Sequence, residues 1–123
     1  MTTISIERTL SQAEFDLFAA VSGDNNPIHV DPDFSARTRF GRTVSHGMLL
    51  YTVLWGMVQK RYPGARQTEQ TLMFPNPAYA GEALRFELTE TGGEAGQRVL
   101  ATKVSRLADN AVVLDGETTI TLS

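Results

Sequence analysis

Asp24 and His29 are the side chains of this sequence whose types and spacing best suit acid–base chemistry. In a continuous helix, residues five apart point about 140° away from each other, at about 100° per residue. Pro27 lies between them, lacks a backbone N–H and pushes Asn26 out of the α region, so the sequence predicts a turn instead of a helix. A turn can bring the carboxylate and the imidazole around one small volume, where they could hold and polarise a water molecule.

The same residues also suit a purely structural role. Asp24 and Asn26 are of types whose side chains bond the backbone of loops, and His29 could lie half-buried beside them. Such turn chemistry is common and catalysis is rare, so the spacing alone favours the structural interpretation. For Asn26 in particular, we expect the side chain to brace the turn.

The stretch that contains these residues resembles the signature of the MaoC-like, (R)-specific enoyl-CoA hydratases of the hydratase 2 type. That signature reads aromatic, spacer, aliphatic, small residue, Gly-Asp-x-Asn-Pro-aliphatic-His, then five residues and Ala or Ser. A second block, Phe40-Gly41 followed by His46-Gly47-Met48, also resembles the family. The specified places of the signature are filled by Phe18, Val21, Ser22, Gly23, Asp24, Asn26, Pro27, Ile28, His29 and Ser35.

The resemblance implies a lyase that reversibly hydrates trans-2-enoyl-CoA to (R)-3-hydroxyacyl-CoA. It implies no metal and no organic cofactor, since CoA is part of the substrate. It gives Asp24 and His29 the joint activation of a water, and it gives the backbone N–H of Gly47 the role of oxyanion donor. Gly47 is expected at the start of a helix, where N–H groups are unpaired and the helix dipole favours negative charge.

Several neighbouring residues are candidates for positioning or binding the substrate. Ser45 is expected to cap the helix, and His46, within the second block, to have a structural or positioning role. Met48, the last residue of the second block, is a candidate substrate-binding residue. Trp55 lies two helical turns beyond Met48 and is a core residue by default, but it could close an acyl pocket and restrict the substrate to short chains.

Arg37, Arg39 and Arg42 form a basic cluster in a polar loop. Arginines suit the phosphates of a charged ligand such as CoA. A cluster of this kind is more often a solvated surface, and both interpretations stay open.

The first half of the chain predicts one strand and several helices. Alternation predicts a strand over residues 3–9, and a capping box that begins at Ser11 predicts a helix over residues 12–22. A proline-initiated short helix should follow and end near residue 38. Residues 45–62 predict a helix that is apolar nearly all round over residues 48–58. Eleven apolar residues are too few to cross a bilayer, so we expect this helix to be buried in protein.

The second half predicts four antiparallel strands joined by hairpins. A tight turn is expected at Asp109-Asn110, and a bulge is possible at Asp115-Gly116. The predicted strands cover residues 67–74, 83–89, 99–107 and 111–122.

This element order predicts an α+β fold. Together with the resemblance, it implies a single hotdog domain over residues 1–123, in which a curved antiparallel sheet wraps around a long central apolar helix. Exposed sheet edges are a liability that pairing in a dimer removes, so we expect a homodimer through a continuous sheet.

The composition limits the classes of partner and cofactor that we expect this protein to bind. A net charge of -3 argues against nucleic acid and anionic membranes. The chain has no cysteine for a disulfide, thiol nucleophile or metal site. Its two histidines cannot supply a histidine-rich metal site, although carboxylates could assist one of them. The N-terminal residues lack the pattern of a signal peptide, which predicts a cytoplasmic protein.

Three other functions fit the same fold. One is a dehydratase of an acyl-carrier-protein-bound or branched dicarboxylic thioester. A thioesterase is less favoured, because the Asp-x-Asn-Pro-x-His pattern resembles hydratases. The last is a non-catalytic acyl-CoA-binding or regulatory domain, which would need neither Asp24 nor His29.

Overall fold

A computed structural model of the chain describes residues 2–122. All strand pairings are antiparallel, and the sheet order is β1-β3-β4-β5-β2, so β1 and β2 are its edges. This architecture is the α+β arrangement predicted from the sequence. The elements are β1 (Thr3–Thr9), α1 (Gln12–Ser22), α2 (Pro27–Val30), α3 (Pro32–Ala36), α4 (Gly47–Arg61), β2 (Arg66–Met73), β3 (Ala83–Gly92), β4 (Gln97–Arg106) and β5 (Val112–Thr121).

The first helix has the predicted ends. Ser11 and Glu14 form the reciprocal capping box at its start. Gly23 ends it with φ 82°, a left-handed conformation that glycine adopts without steric cost. The chain therefore leaves α1 in a sharp turn that leads directly to Asp24.

The expectation of a simple turn around Pro27 is wrong in part, because α2 is a helix of one turn. Asn26 is its N-cap, and the Asn26 side-chain oxygen accepts a bond from the N–H of Ile28 at 3.1 Å. Pro27 occupies the first helical position, where a missing N–H costs no helix bond. Asp24 stays outside this helix, whereas His29 lies within it.

The long helix α4 begins two residues later than predicted. Its N-cap residue is His46, so the expectation that Ser45 caps this helix is wrong. One face packs into the core, through Leu49, Leu50, Leu54, Met57 and Val58.

The opposite face of α4 is less covered than the expected burial on all sides. Met48, Thr52, Gly56 and Lys60 follow one another at a spacing of four residues and are exposed. They form one stripe along the helix, because residues four apart lie on the same face. In this single chain, α4 is thus buried against the sheet on one side only.

The sheet supplies the other half of the core. Leu84, Phe86 and Leu88 alternate inward along β3, as predicted, and each is at most 2% exposed. None of the helices within residues 2–122 is long and apolar enough to cross a membrane. The cytoplasmic location stays a prediction.

The prediction that hairpins join all four later strands is wrong for β2 and β3. β2 pairs with β5 at one edge, while β3 pairs with β1 near the other. The segment from Phe74 to Glu82 therefore crosses from one side of the sheet to the other. The predicted turn between β4 and β5 is confirmed, with Asn110 at φ 60°.

The bulge considered at Asp115-Gly116 is also wrong, since β5 keeps a regular register there with both neighbours. A Cβ on Gly116 would clash with the carbonyl oxygen of Thr71 on β2. Glycine is required at this position by the close approach of a neighbouring backbone.

Candidate active site

The structure brings Asp24 and His29 together. A carboxylate oxygen of Asp24, Oδ2, lies 3.9 Å from Nε2 of His29. The Asp24 side chain is 56% exposed and that of His29 is 11% exposed. A separation of 3.9 Å is too long for a direct hydrogen bond, so the two groups face each other across a gap.

A hydrogen bond fixes which nitrogen of His29 faces this gap. Nδ1 of His29 lies 2.7 Å from the backbone oxygen of Val44. A carbonyl oxygen only accepts hydrogen bonds, so Nδ1 carries the proton. The lone pair of the neutral ring is then on Nε2, the nitrogen nearest the Asp24 carboxylate.

Hydrogen bonds from the loop before α4 and from α1 hold α2 and His29 in place. The N–H of Val44 donates to the oxygen of Ile28 at 2.9 Å, so residue 44 is bonded to α2 through both its N–H and its oxygen. Gln12 of α1 donates to the oxygen of His29 at 2.9 Å and accepts from the Thr43 hydroxyl at 2.6 Å. Nothing in the sequence pattern singled out Gln12 or Thr43 for this role.

The predicted positioning role of His46 has direct contacts to support it. Its ring stacks on the His29 ring, with centroids 3.9 Å apart and planes 23° apart. Its Nε2 lies 2.8 Å from the backbone oxygen of Asp24. Burial lowers the pKa of His46, and the neighbouring His29 lowers it further, while the bond to the Asp24 backbone and the Asp24 charge oppose this.

A cavity of about 400 Å³ opens beside these groups. Its walls come from α2, from the loop before α4, from the start of α4 and from the crossing segment after β2. The lining residues are Asp24, Ile28, His29, Arg39, Phe40, Val44, Ser45, His46, Gly47, Met48, Leu50, Phe74, Pro75, Asn76, Pro77, Ala78 and Val113.

Gly47 lies in this cavity wall at the first position of α4, as expected. The first N–H groups of a helix have no partner within the helix, so they are free to bind an acceptor. A Cβ on Gly47 would lie 2.6 to 2.9 Å from ring atoms of Phe74. The contact with Phe74 was not predicted, because it depends on where the crossing segment lies.

Two other predicted site residues also line the cavity. The Ser45 hydroxyl donates to the oxygen of His46 at 3.0 Å, so Ser45 braces the residue before the helix. Met48 is half exposed in the cavity wall.

Other predicted site residues do not reach the cavity. Asn26 caps α2, and Trp55 packs against the core. Arg37 is exposed after α3, whereas Arg42 pairs with Glu82 at 3.6 Å. The basic cluster therefore contributes one side chain to the cavity wall, that of Arg39.

Asp24, His29 and His46 each have a potential metal-ligand atom within 4.8 Å of the others. That spacing alone would admit a divalent cation. Nε2 of His46 donates to the Asp24 backbone oxygen, so Nδ1 is the nitrogen of this ring that has a lone pair for a ligand. The 3.9 Å gap between Asp24 Oδ2 and His29 Nε2 also has the size for a bridging water.

Comparison with known proteins gives the family. The family described as "MaoC like domain" matches residues 2–112. An (R)-specific enoyl-CoA hydratase of Aeromonas caviae is 32% identical over 121 residues, which cover 95% of this chain and 90% of the relative. An (R)-specific enoyl-CoA hydratase of Rhodospirillum rubrum is 30% identical over 118 residues, covering 94% of this chain and 82% of the relative.

Solved structures agree with the sequence comparison. The (R)-hydratase from A. caviae involved in PHA biosynthesis superposes with a TM-score of 0.93 at 29% identity. The match covers 99% of this chain and 95% of that one. The hotdog fold implied by the sequence is thereby confirmed, and this chain belongs to the family of MaoC-like domains.

Proposed function

We propose that this protein is an (R)-specific enoyl-CoA hydratase, a lyase that reversibly adds water to a trans-2-enoyl thioester. The observation that carries the proposal is the facing pair of acceptors, Asp24 Oδ2 and His29 Nε2, 3.9 Å apart at the wall of an apolar cavity. The hydratase relatives of similar length support the same reaction.

The gap between the two acceptors suits one water molecule. A water that donates one O–H to each acceptor at ordinary hydrogen-bond length separates them by about 4 Å. Its oxygen lone pairs then point away from both groups, toward the cavity. Asp24 and His29 thus orient the water oxygen for attack and can accept a proton from it.

The reaction balances with these groups alone. The water oxygen bonds to C3 while the pair takes one proton, and the electrons of the double bond move through C2 to the thioester oxygen. The Gly47 N–H donates to that oxygen as it becomes enolate-like. The proton then returns from the pair to C2, so hydroxyl and hydrogen arrive on the same face, and no metal or organic cofactor takes part.

Asp24→Asn should lower kcat for crotonyl-CoA by about 10²- to 10⁴-fold, because an amide cannot take up the proton. The exposed position of Asp24 makes the fold insensitive to this isosteric change. Loss of enoyl-thioester absorbance measures the rate. Asp115→Asn, an exposed aspartate on β5, is the matched control; a folded Asp24→Asn variant with wild-type kcat would contradict the proposal.

We further propose that Arg39 binds a phosphate of CoA. Arg39 lines the cavity, and its guanidinium lies 4.9 Å from the ring centroid of Phe40, which also lines it. Arg37 belongs to the same cluster but lies outside the cavity wall.

Arg39→Gln should raise KM for crotonyl-CoA by about two- to fivefold, the effect of losing one exposed ion pair. Its kcat should stay unchanged, since the proposed contact is with a phosphate of CoA and not with the reacting atoms. With crotonyl-pantetheine, which has no phosphate, the variant and the wild type should have equal KM. Arg37→Gln is the control, and an equal rise in KM for both substrates would rule out the phosphate contact.

We also propose a homodimer that is formed through the free edge of β2. Met73 and Phe74 at the end of β2 are 64% and 45% exposed, and Met48 at the start of α4 is 50% exposed. Pairing β2 with its copy would satisfy the open edge and could cover these side chains. Such pairing would give the continuous sheet expected from the sequence.

Sedimentation equilibrium should give twice the chain mass of 13.5 kDa. Met73→Lys should shift the protein toward the monomer, because a charge would have to be buried. Ile6→Lys, at an exposed apolar position on the other edge strand, should leave the dimer intact. A monomeric wild type, or dissociation by Ile6→Lys alone, would contradict this interface.

A further inference from the structure

His46 is a buried polar side chain that no step of the proposed reaction uses. It is 2% exposed and makes no side-chain capping bond to the helix that it precedes. Phe15 and Phe18 meet its ring edge-on, with centroids 6.5 and 4.9 Å away. An apolar ring would fill these surroundings without the cost of removing polar atoms from water.

The imidazole contacts both members of the water-binding pair. One face stacks on the His29 ring at 3.9 Å. Its edge nitrogen Nε2 donates to the backbone oxygen of Asp24 at 2.8 Å, since the carbonyl can only accept. A single flat ring thus touches the side chain of one residue and the backbone of the other.

The other nitrogen of His46, Nδ1, does not stabilise the folded state. Nδ1 is buried and has no hydrogen-bond partner within residues 2–122. With the proton on Nε2, this atom is an unsatisfied acceptor, which destabilises the folded state. His46 thus has a destabilising unsatisfied nitrogen and yet contacts both Asp24 and His29. This combination indicates a role in function.

We propose that His46 is a positioning residue, which holds Asp24 by its backbone and His29 by its ring so that their acceptor atoms stay at water-binding distance. This inference rests on the proposed hydratase activity. Asp24 is on an exposed loop, and its N–H is bonded to the hydroxyl of Ser22, which is exposed as well. The bond from His46 ties the Asp24 backbone to a buried side chain. Misplacement of a reacting group by about 1 Å can cost about 100-fold in rate.

His46→Phe tests the contact with Asp24. It keeps an aromatic ring but removes the donor and the unsatisfied nitrogen. We expect kcat for crotonyl-CoA to fall about 10- to 100-fold with KM little changed, while the thermal midpoint stays equal or rises. A merely structural residue would instead lower the midpoint and spare kcat. Wild-type kcat in the folded variant would overturn the proposal.

His46→Gln tests the contact with His29. It keeps an N–H that can reach the Asp24 oxygen but has no ring to stack, so kcat should fall here too. Wild-type kcat in this variant would overturn the stacking role. The two variants remove different contacts, so the proposal stays testable if one of them fails to fold.

A double-mutant cycle tests whether His46 acts through Asp24. In an Asp24→Asn background, His46→Phe should have little further effect on the residual rate, because the group that it positions is already inactive. A second full drop in rate would show that His46 acts independently of Asp24 and would overturn the inference.

Stability at acid pH gives a separate readout. The titratable groups against His46 are His29 from α2 and Asp24 from the preceding loop, while α1 contributes the uncharged Phe15 and Phe18. Because the folded pKa of His46 is lowered, its contribution to stability is present above about pH 6.5 and is lost as pH falls below it. The His46→Phe variant should therefore lose less stability than the wild type as the pH falls. If the two proteins lost stability equally, His46 would not be a buried neutral ring.

Nitrogen-15 spectra test the geometry without turnover. The chain has two histidines, so His46→Phe leaves the signals of His29 alone. The wild type should show Nδ1–H on His29 and Nε2–H on His46. An inactive wild type with these tautomers would refute the proposed function but retain the geometry. A His46 protonated on Nδ1 would overturn the inference even in an active enzyme.

Discussion

The site depends on one buried hydrogen bond, from Nδ1 of His29 to the oxygen of Val44 at 2.7 Å. This bond places the lone pair of the ring on Nε2 and aims it across the gap to Asp24. Two further contacts hold Val44 in position for this bond. Its N–H donates to the oxygen of Ile28, and it forms an antiparallel β-bridge with Tyr79 of the crossing segment. A short piece of extended chain thus ties α2 to the other side of the cavity and sets the tautomer on which the proposed chemistry depends.

The fold contributes a mostly apolar cavity and an unpaired helix start beside this polar pair. Gly47 begins α4 in the cavity wall, and the Phe74 ring of the crossing segment packs against it closely enough to leave no room for a Cβ. An apolar wall lowers the local dielectric, so hydrogen bonds to a developing oxyanion are stronger there than in water. The same segment connects β2 to β3, which lie apart in the sheet, and forms one part of the cavity wall.

Local signals in the sequence predicted most of the elements, because caps, prolines and alternation act within a few residues. The capping box at Ser11 and the inward alternation of β3 are confirmed. The prediction that Pro27 excludes a helix is wrong, because Pro27 is the first residue of α2. A proline interrupts a helix in its interior but is favourable at its first position. Strand order, the Phe74 contact and the separation of Arg39 from the other arginines could not be predicted, because each depends on how distant segments pack.

In the proposed reaction, Asp24 and His29 hold a single water and deliver both of its parts to one face of the alkene. Hydration of crotonyl-CoA in D₂O tests it most directly, with the first product analysed by NMR and chiral chromatography before the reaction reverses. We expect one product, the (R)-3-hydroxy thioester, with deuterium at C2 added on the same face as the hydroxyl. The opposite relative configuration, or a mixture of the two C2 diastereomers at early times, would contradict a shared water held by this pair.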